Sequence, residues 1–202
     1  MSTPSLHTSL SEPLRAAPDG GSGGRSLDTQ CPCDASPKLG MRLGLGLRPA
    51  ERRQYPDPAL LRRAAPVTGV HPEMPRLAAA LIRAMEDWGV RALAAPQLGI
   101  DGRVVVVQLD GGPVCLVNPR LEPLSREITV IETCLSRPGV QAVAQRFRRI
   151  RVTGWDPGRA PLAFDLEGPP ALALQHAVDH LDGRVICAGL PALGSVGGRD
   201  TQ

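Results

Sequence analysis

The sequence predicts an α+β fold, in which short mixed or antiparallel strands surround one central helix. One long helical segment near the C-terminal end is embedded among short runs rich in valine and isoleucine, an arrangement that is typical of α+β domains. Apolar residues make up 42% of the 202 residues, which is enough for one buried core. Because aromatic residues are only 2%, that core must consist mainly of aliphatic side chains.

Three regions follow from the composition along the chain. Residues 1–47 are rich in serine, proline and glycine, as at 19–24, and cannot bury enough apolar surface to offset the entropy lost on ordering. We therefore predict a disordered N-terminal extension over 1–47, a folded domain over 48–193 and a flexible tail over 194–202. Met41 is an alternative start, which would leave the first forty residues untranslated.

Two helices are predicted. Residues 74–88 carry apolar residues at helical spacing, and Gly89 ends the segment. The second helix is predicted over 171–181, because Pro169 and Pro170 suit the turn that opens a helix.

The strands are predicted from short runs of β-branched residues between turn signals. Four consecutive valines at 104–107 indicate a buried strand, and the turn at 110–112 leads into a returning strand at 114–117. Asn118 and Pro119 are expected to break that strand. Further strands are predicted at 128–131, 140–143 and 150–155.

Composition also excludes several classes of function. A net charge of +3 is too small to indicate specific nucleic-acid binding, and no apolar run approaches the ~20 residues of a membrane span. The N-terminus lacks the layout of a signal peptide. Five cysteines, an odd number, do not form a disulfide framework, so we predict a reducing, cytoplasmic location without membrane partners.

Two histidines in the second predicted helix indicate a metal site. His176 and His180 are four residues apart, so a helix places both rings on one face, one turn from each other. Cys134 is the best candidate for a third ligand in a tetrahedral site with one open position. One thiolate and two imidazoles suit Fe(II), Zn, Ni or Co. From spacing alone, two histidines satisfied by core hydrogen bonds remain an open alternative, and Cys134 taken by itself is better explained as a small buried hydrophobic residue.

Three separated segments together resemble the peptide deformylase family. Residues 90–97 read VRALAAPQ, residues 132–136 read ETCLS and residues 175–180 read QHAVDH. Their order and spacing are similar to the family's G-x-G-L-A-A-P-Q, E-G-C-L-S and Q-H-E-x-D-H. The resemblance covers about residues 50–193 and implies a peptide-deformylase-like fold. It also implies removal of the formyl group from the N-terminal formyl-methionine of nascent proteins.

The resemblance implies the roles of several residues. Cys134, His176 and His180 would hold one divalent ion, with Fe(II) first and Zn, Ni or Co as alternatives. Gln97 and the backbone N–H of Leu135 would donate hydrogen bonds to the oxyanion that develops during hydrolysis.

Other residues would contact the substrate or support the site. Glu132 resembles a buried supporting acid that pairs with Arg146, and Asp179 would support a ligand histidine or the helix packing. The partners implied are an N-formylated peptide or nascent chain, and with it the ribosome. The residues assigned to substrate binding are Arg91, Ala92, Leu93 and Glu132.

The main departure from the family is Ala177, which occupies the position of the glutamate that acts as general acid and base. Losing such a group typically costs ~10²–10⁴-fold in rate. Arg91, Ala92 and Thr133 also depart from the pattern. We therefore expect a divergent member with impaired or altered activity. The alternatives are a catalytically inactive metal-binding pseudoenzyme or formyl-peptide-binding module, and an ordinary deformylase inactivated by one substitution.

Overall fold

Within residues 51–69 and 71–186, which the computed structural model describes, two α-helices accompany seven strands. Short 3-10 helices occur at Pro58–Leu60 and Ala95–Leu98. The predicted extension, the predicted tail and three of the five cysteines lie outside the described residues. In chain order the elements are α1 (Met74–Asp87), β1 (Ala92–Ala94), β2 (Val104–Leu109), β3 (Gly112–Pro123), β4 (Glu127–Cys134), β5 (Arg137–Phe147), β6 (Arg149–Trp155), β7 (Pro161–Glu167) and α2 (Pro169–Leu181).

The strands form two antiparallel sheets. Five of them pair in the order β1-β2-β3-β6-β7, while β4 and β5 form a separate two-stranded hairpin. The α+β prediction is confirmed. All described strand pairs are antiparallel, so the predicted alternative of a mixed sheet does not occur among them. Strands β3 and β5 are longer than predicted, with 12 and 11 residues.

The four valines of β2 show why this strand is buried throughout. Val104 and Val106 pack in the same cluster as the apolar face of α1, whereas Val105 and Val107 pack in the cluster that contains α2. Successive side chains of a strand point to opposite faces, so the two helices cover opposite faces of the five-stranded sheet. A continuous apolar run is the expected sequence of a strand covered on both sides.

Both predicted helices are present, with small shifts at their ends. The first helix ends at Asp87, and Gly89 adopts a positive φ of 62° just beyond it. The second begins at Pro169, two residues before the predicted start, because its prolines form the first turn themselves. Neither described helix has the length and apolarity that crossing a membrane requires.

The prediction that Asn118 and Pro119 end the strand at 117 is wrong. β3 continues to Pro123 and pairs with β6 on both sides of a register shift between Val117 and Arg120. Asn118 adopts a positive φ of 51° within this bulge, a conformation that asparagine tolerates. Its side chain accepts a hydrogen bond from the backbone N–H of Val67 and donates one to the carbonyl of the same residue, at 2.9 and 2.8 Å.

Two strands were not predicted from the sequence. β1 has only three residues, too few for a periodic pattern, and β7 alternates only between half-buried and exposed positions. The remaining predicted strands are present and longer than expected. The short β1 matters for function, because it leads directly into the 3-10 turn at Ala95–Leu98 beside α2.

Candidate metal centre

Three predicted ligands converge at the end of the hairpin and on α2. The Sγ of Cys134 lies 3.3 Å from the Nε2 of His180, and ligand atoms of Cys134, His176 and His180 all lie within 4.8 Å of one another. A tetrahedral ion with bonds of ~2.3 Å to sulfur and ~2.05 Å to nitrogen requires sulfur–nitrogen separations of roughly 3.5 Å. The arrangement therefore fits one divalent transition-metal ion without rearrangement of the backbone.

The local structure explains why these side chains meet. Cys134 is the last residue of β4, and the hairpin register shifts between Thr133 and Cys134. Such a shift re-aims the side chain that follows it. The two histidine rings have centroids 5.1 Å apart and meet edge to face at 74°, as the four-residue spacing on a helix predicts.

Charge interactions favour the ligating form of Cys134. Burial acts to raise the pKa of its thiol, but hydrogen bonds with His176 and His180 outweigh burial and lower the pKa to about 5. The thiolate, which is the form that binds metal, therefore predominates at neutral pH. Burial acts to lower the pKa of His176, while its interactions with Cys134 and Glu132 raise it to about 9, so a metal ion must displace a proton from this ring.

Glu132 holds His176 in position. Its Oε2 lies 2.9 Å from the Nδ1 of His176, which leaves Nε2 of that ring for a metal. Arg146 donates two hydrogen bonds to the same carboxylate, at 2.7 and 2.9 Å. Burial acts to raise the pKa of Glu132, but Arg146 and His176 lower it to about 2. The structure thus places Glu132 beside a metal-ligand candidate, and a direct contact with substrate stays a prediction.

A second carboxylate extends this network. Asp179 lies 2.7 Å from Arg146 through its Oδ2, and Arg184 donates to its Oδ1 at 2.7 Å. The chain of ion pairs therefore connects the hairpin to α2 through Arg146. Asp179 supports His176 only indirectly, through Arg146 and Glu132.

Gln97 lies in the 3-10 turn beside these ligands and is 4% exposed. Its Oε1 accepts a hydrogen bond from the backbone N–H of Ala94 at 2.9 Å, which fixes the orientation of the amide. Its Nε2 has a long contact of 3.3 Å to the hydroxyl of Ser136. Gln97 therefore presents a donor with only one weak described partner, as an oxyanion-binding group requires.

A groove of about 800 Å³ is lined by two of the three ligand candidates, Cys134 and His176. Most of the residues predicted from the sequence line it, namely Arg91, Ala92, Gln97, Glu132, Cys134, Leu135 and His176. Two arginines that were not predicted, Arg52 and Arg137, also line it. Only the folded chain brings them there, since neither lies in a pattern that indicates a site.

The predicted substrate contact of Leu93 stays a prediction, and it would involve the backbone of this residue. Its side chain is 0% exposed and packs in the cluster of α1, away from the groove. Consecutive residues of β1 point to opposite faces, so Ala92 lines the groove and the side chain of Leu93 cannot. Any contact of Leu93 with a substrate is limited to its backbone.

Comparison with known proteins identifies the family. The family model described as polypeptide deformylase matches residues 50–194. The chain belongs to the polypeptide deformylase family. A peptide deformylase of Desulforudis audaxviator is 40% identical over 134 residues, which cover 65% of this chain and 87% of that relative.

Solved deformylase structures share the fold. The crystal structure of peptide deformylase from Thermotoga maritima is 32% identical with a TM-score of 0.64, and covers 68% of this chain and 95% of that one. A deformylase structure from Acinetobacter baumannii with bound Met-Ala-Ser is 27% identical with a TM-score of 0.62, and covers 67% of this chain and 95% of that one. These relatives support the function of a deformylase, a metal-dependent hydrolase.

The surroundings of Ala177 are apolar. Its methyl group is 1% exposed and packs in the apolar cluster between α2 and the five-stranded sheet. It does not line the groove. Two of the other three departures, Ala92 and Thr133, do not have a positive φ, so neither position requires a glycine.

Proposed function

We propose that this protein is a metal-dependent deformylase that acts on N-formylated peptides at a strongly reduced rate. One observation carries the proposal: Cys134, His176 and His180 converge beside a groove that Gln97 also lines. Substitution of alanine for the usual glutamate at position 177 is the reason for expecting a reduced rate.

The three converging residues would hold one divalent ion. Fe(II) is the first candidate, and Zn, Ni or Co are alternatives that suit the same ligands. When bound, such an ion supplies Lewis acidity and activates water as a nucleophile. The Glu132–His176 hydrogen bond of 2.9 Å would keep that ring oriented, as partners of ligand histidines do.

Gln97 and Leu135 would stabilise the oxygen of the formyl group as it gains negative charge. The amide oxygen of Gln97 is already held by Ala94, so its Nε2 is the end that would donate to the substrate. The backbone N–H of Leu135, next to Cys134 on the groove wall, would be the second donor. Removing one donor of this kind typically costs ~10²–10³-fold in rate.

Proton transfer is the step that this chain supports poorly. The methyl group of Ala177 can neither take a proton from water nor give one to the leaving amine. Glu132 is a poor substitute, because its pKa of about 2 makes it a weak base and both its oxygens are engaged. Asp179 is paired with Arg146 and Arg184. A rate ~10²–10⁴-fold below that of an enzyme with the glutamate is therefore expected.

An extended peptide fits the shape and the edges of the groove. β1 is the edge strand of the five-stranded sheet, and β4 borders the groove from the hairpin. A peptide added as a strand beside such an edge satisfies its backbone hydrogen bonds. Apolar lining residues offer a place for a methionine side chain, among them Val130, Leu172 and Ala173. The proposed substrate is the formylated nascent chain, which would place the activity in the cytoplasm with the ribosome as a partner.

The test is formate release from formyl-Met-Ala-Ser at high protein concentration, with Fe(II), Ni(II) or Co(II) supplied. We expect slow turnover that disappears in Cys134→Ala and persists in Cys115→Ala, a matched cysteine variant outside the groove. Formate release no greater than that of the metal ion alone would reject the enzymatic proposal.

The second candidate function is a pseudoenzyme that binds metal and formylated peptides without turnover. The packed methyl group of Ala177 favours it. Metal-dependent binding of formyl-Met-Ala-Ser without any formate release would support this alternative. Binding that is unchanged in Cys134→Ala would contradict it.

A further inference from the structure

The groove beside the metal centre is lined by three arginines, Arg52, Arg91 and Arg137. Among the described residues that line it, Glu132 is the single acidic one. Its carboxylate is already engaged by Arg146 and His176, so it does not neutralise the three arginines. The groove therefore carries an excess of positive charge where a substrate would lie.

Arg137 is held next to the ligand cysteine. It is the cross-strand partner of Cys134 in the hairpin, and its guanidinium lies 4.8 Å from the ring centroid of Tyr55. The backbone N–H of Tyr55 donates to the carbonyl of Ser136 at 2.7 Å, which ties this ring to the same loop. Stacking orients a guanidinium plane and leaves its N–H donors at the edge, where they match a carboxylate.

The other two arginines border the groove near β1 and Gln97. Arg91 precedes β1, its carbonyl accepts a hydrogen bond from the N–H of Gln108 at 2.7 Å, and its side chain is exposed. Arg52 lies 5.8 Å from the ring of Trp88, and its Nε is buried with no hydrogen-bond partner among the described residues. The backbone N–H of the next residue, Arg53, donates a hydrogen bond to the backbone carbonyl of Gln97.

Several exposed arginines elsewhere on the surface have carboxylates beside them. Arg148 and Arg149 pair with Glu167, and Arg151 pairs with Asp165. A concave site lined by one sign of charge concentrates ligands of the opposite sign. The three arginines that line the groove therefore favour a ligand with negative charge.

We propose that this groove selects formylated peptides with carboxylates in the residues that follow the formyl-methionine. The inference rests on the proposed function, since the formyl end must lie at Cys134 and Gln97. The following residues then run along the rim that carries the arginines. The carboxylate can come from acidic side chains or from the free C-terminus of a short peptide, and the experiment separates these sources.

The test measures peptide binding, so it does not depend on turnover. The full-length protein loaded with Zn(II) is titrated with Met-Glu-Glu-amide, Met-Gln-Gln-amide and Met-Lys-Lys-amide, and with Met-Gln-Gln carrying a free carboxylate. Each exposed arginine–carboxylate pair contributes little, so we expect Met-Glu-Glu-amide to bind about three- to tenfold more tightly than Met-Gln-Gln-amide. The lysine peptide should bind most weakly, and added salt should reduce the differences.

Comparison of Met-Gln-Gln-amide with the free acid shows whether a carboxylate at the C-terminus is enough to strengthen binding. Tighter binding of the free acid alone, with Met-Glu-Glu-amide equal to Met-Gln-Gln-amide, assigns the recognition to the C-terminus. Tighter binding of both acidic forms assigns it to carboxylates in general. Equal affinity of all four peptides, or no binding of any, overturns the proposal.

Variants connect the preference with particular arginines. Arg91→Gln, and Arg91→Gln combined with Arg137→Gln, should reduce the acidic preference to less than about twofold. Arg126→Gln makes the same change in net charge at an exposed residue outside the groove and should retain the preference. The exposed side chain of Arg91 makes the single variant a safe test if the double variant fails to fold. A preference that survives in both groove variants rejects the proposal.

The same peptides with a formyl group separate this inference from the proposed function. An acidic preference in binding without formate release leaves the inference standing and rejects the enzymatic proposal. Formate release at equal kcat/KM from acidic and neutral peptides, with equal affinities, supports the enzyme and rejects the inference.

Discussion

At the scale of single residues, three metal-ligand candidates accompany Ala177, the position at which the family resemblance implies a glutamate. Cys134, His176 and His180 meet at one point, and Gln97 is oriented by Ala94. The position directly after His176 carries only a buried methyl group. These two facts together predict binding without efficient turnover, and they lead to a test by a single substitution.

Ala177→Glu is expected to raise kcat for formate release by at least ~10²-fold, because it supplies the missing general base. KM should change little, because Ala177 does not line the groove. The longer side chain would have to extend from the apolar surroundings of Ala177 toward the metal centre, and partial burial there would raise its pKa toward the working pH. Formate release from formyl-Met-Ala-Ser with the metal-loaded variant measures the effect.

Ala177→Gln is the matched control, since it has nearly the same shape but cannot carry a proton. It should remain as slow as the unmodified protein. Equal activity of the two variants would contradict the assignment of general-base loss to Ala177. Recovery to the full rate of ordinary deformylases would indicate that the other departures, at positions 91, 92 and 133, do not affect catalysis.

At the scale of elements, a chain of ion pairs fastens the hairpin to α2. Arg146 of β5 contacts Glu132 of β4 and Asp179 of α2 at 2.7 Å each. Gln175 of α2 adds hydrogen bonds with the backbone N–H and carbonyl of Phe147, at 2.9 and 2.8 Å. Because Cys134 and His176 lie on the two connected elements, these contacts hold the separation between metal-ligand candidates.

Arg146→Met should therefore impair both stability and metal binding. It leaves Glu132 without its arginine and removes one of the two arginine partners of Asp179. Breaking a buried ion pair in this way typically costs ~3 kcal/mol or more in the free energy of unfolding. Metal affinity should fall ~10–100-fold, because Glu132 no longer holds His176 in a fixed orientation. Urea unfolding and competition with a chelator measure the two effects.

Arg148→Met is the control for this variant, since the side chains of Arg148 and Glu167 are both more than half exposed. Arg148→Met should change neither the free energy of unfolding nor the metal affinity appreciably. A loss of stability in Arg146→Met with unchanged metal affinity would show that the network supports the fold alone.

At the scale of the whole molecule, the core is built from two apolar clusters on opposite faces of one sheet. The cluster of α1 contains Cys115, which is 7% exposed. Burial, and secondarily the charge of Asp156, raises the pKa of its thiol to about 12 from an ordinary value of 9.0. The folded protein therefore resists ionisation of Cys115 more strongly than the unfolded chain does.

This difference predicts a loss of stability at alkaline pH. The pKa is raised on folding, so the contribution of Cys115 is complete below pH 9 and is lost as the pH rises toward 12. Across this interval the free energy of unfolding should fall by up to ~1.4 kcal/mol per pH unit from this group. Urea unfolding of the unmodified protein and Cys115→Ala at pH 8 to 11 measures it.

Below pH 9 the unmodified protein should be the more stable of the two, because the variant loses buried apolar volume. The difference in the free energy of unfolding between the two proteins should shrink or reverse between pH 9 and 11. Other titrating groups affect both proteins alike. A difference that stays constant over this range would contradict the raised pKa of Cys115.

Much of the fold was predictable because local sequence carries its signals. The helical spacing at 74–88 and the prolines before 171 identified both described helices. The valine run identified the strand that is buried on both faces. The continuation of β3 through Asn118 was not predictable, because that residue is held by Val67, 51 positions away.

The sequence alone determined which groups can bind a metal, because side-chain chemistry and a four-residue helical spacing are local properties. Its resemblance to the family implied that Ala177 replaces a glutamate. Only the tertiary structure decided that Glu132 orients His176, that the side chain of Leu93 faces the core and that three arginines line one groove. These outcomes depend on which residues distant in the chain become neighbours. The packing of the β4–β5 hairpin against β1 and α2 determines which residues become neighbours. No short segment of the sequence encodes that packing.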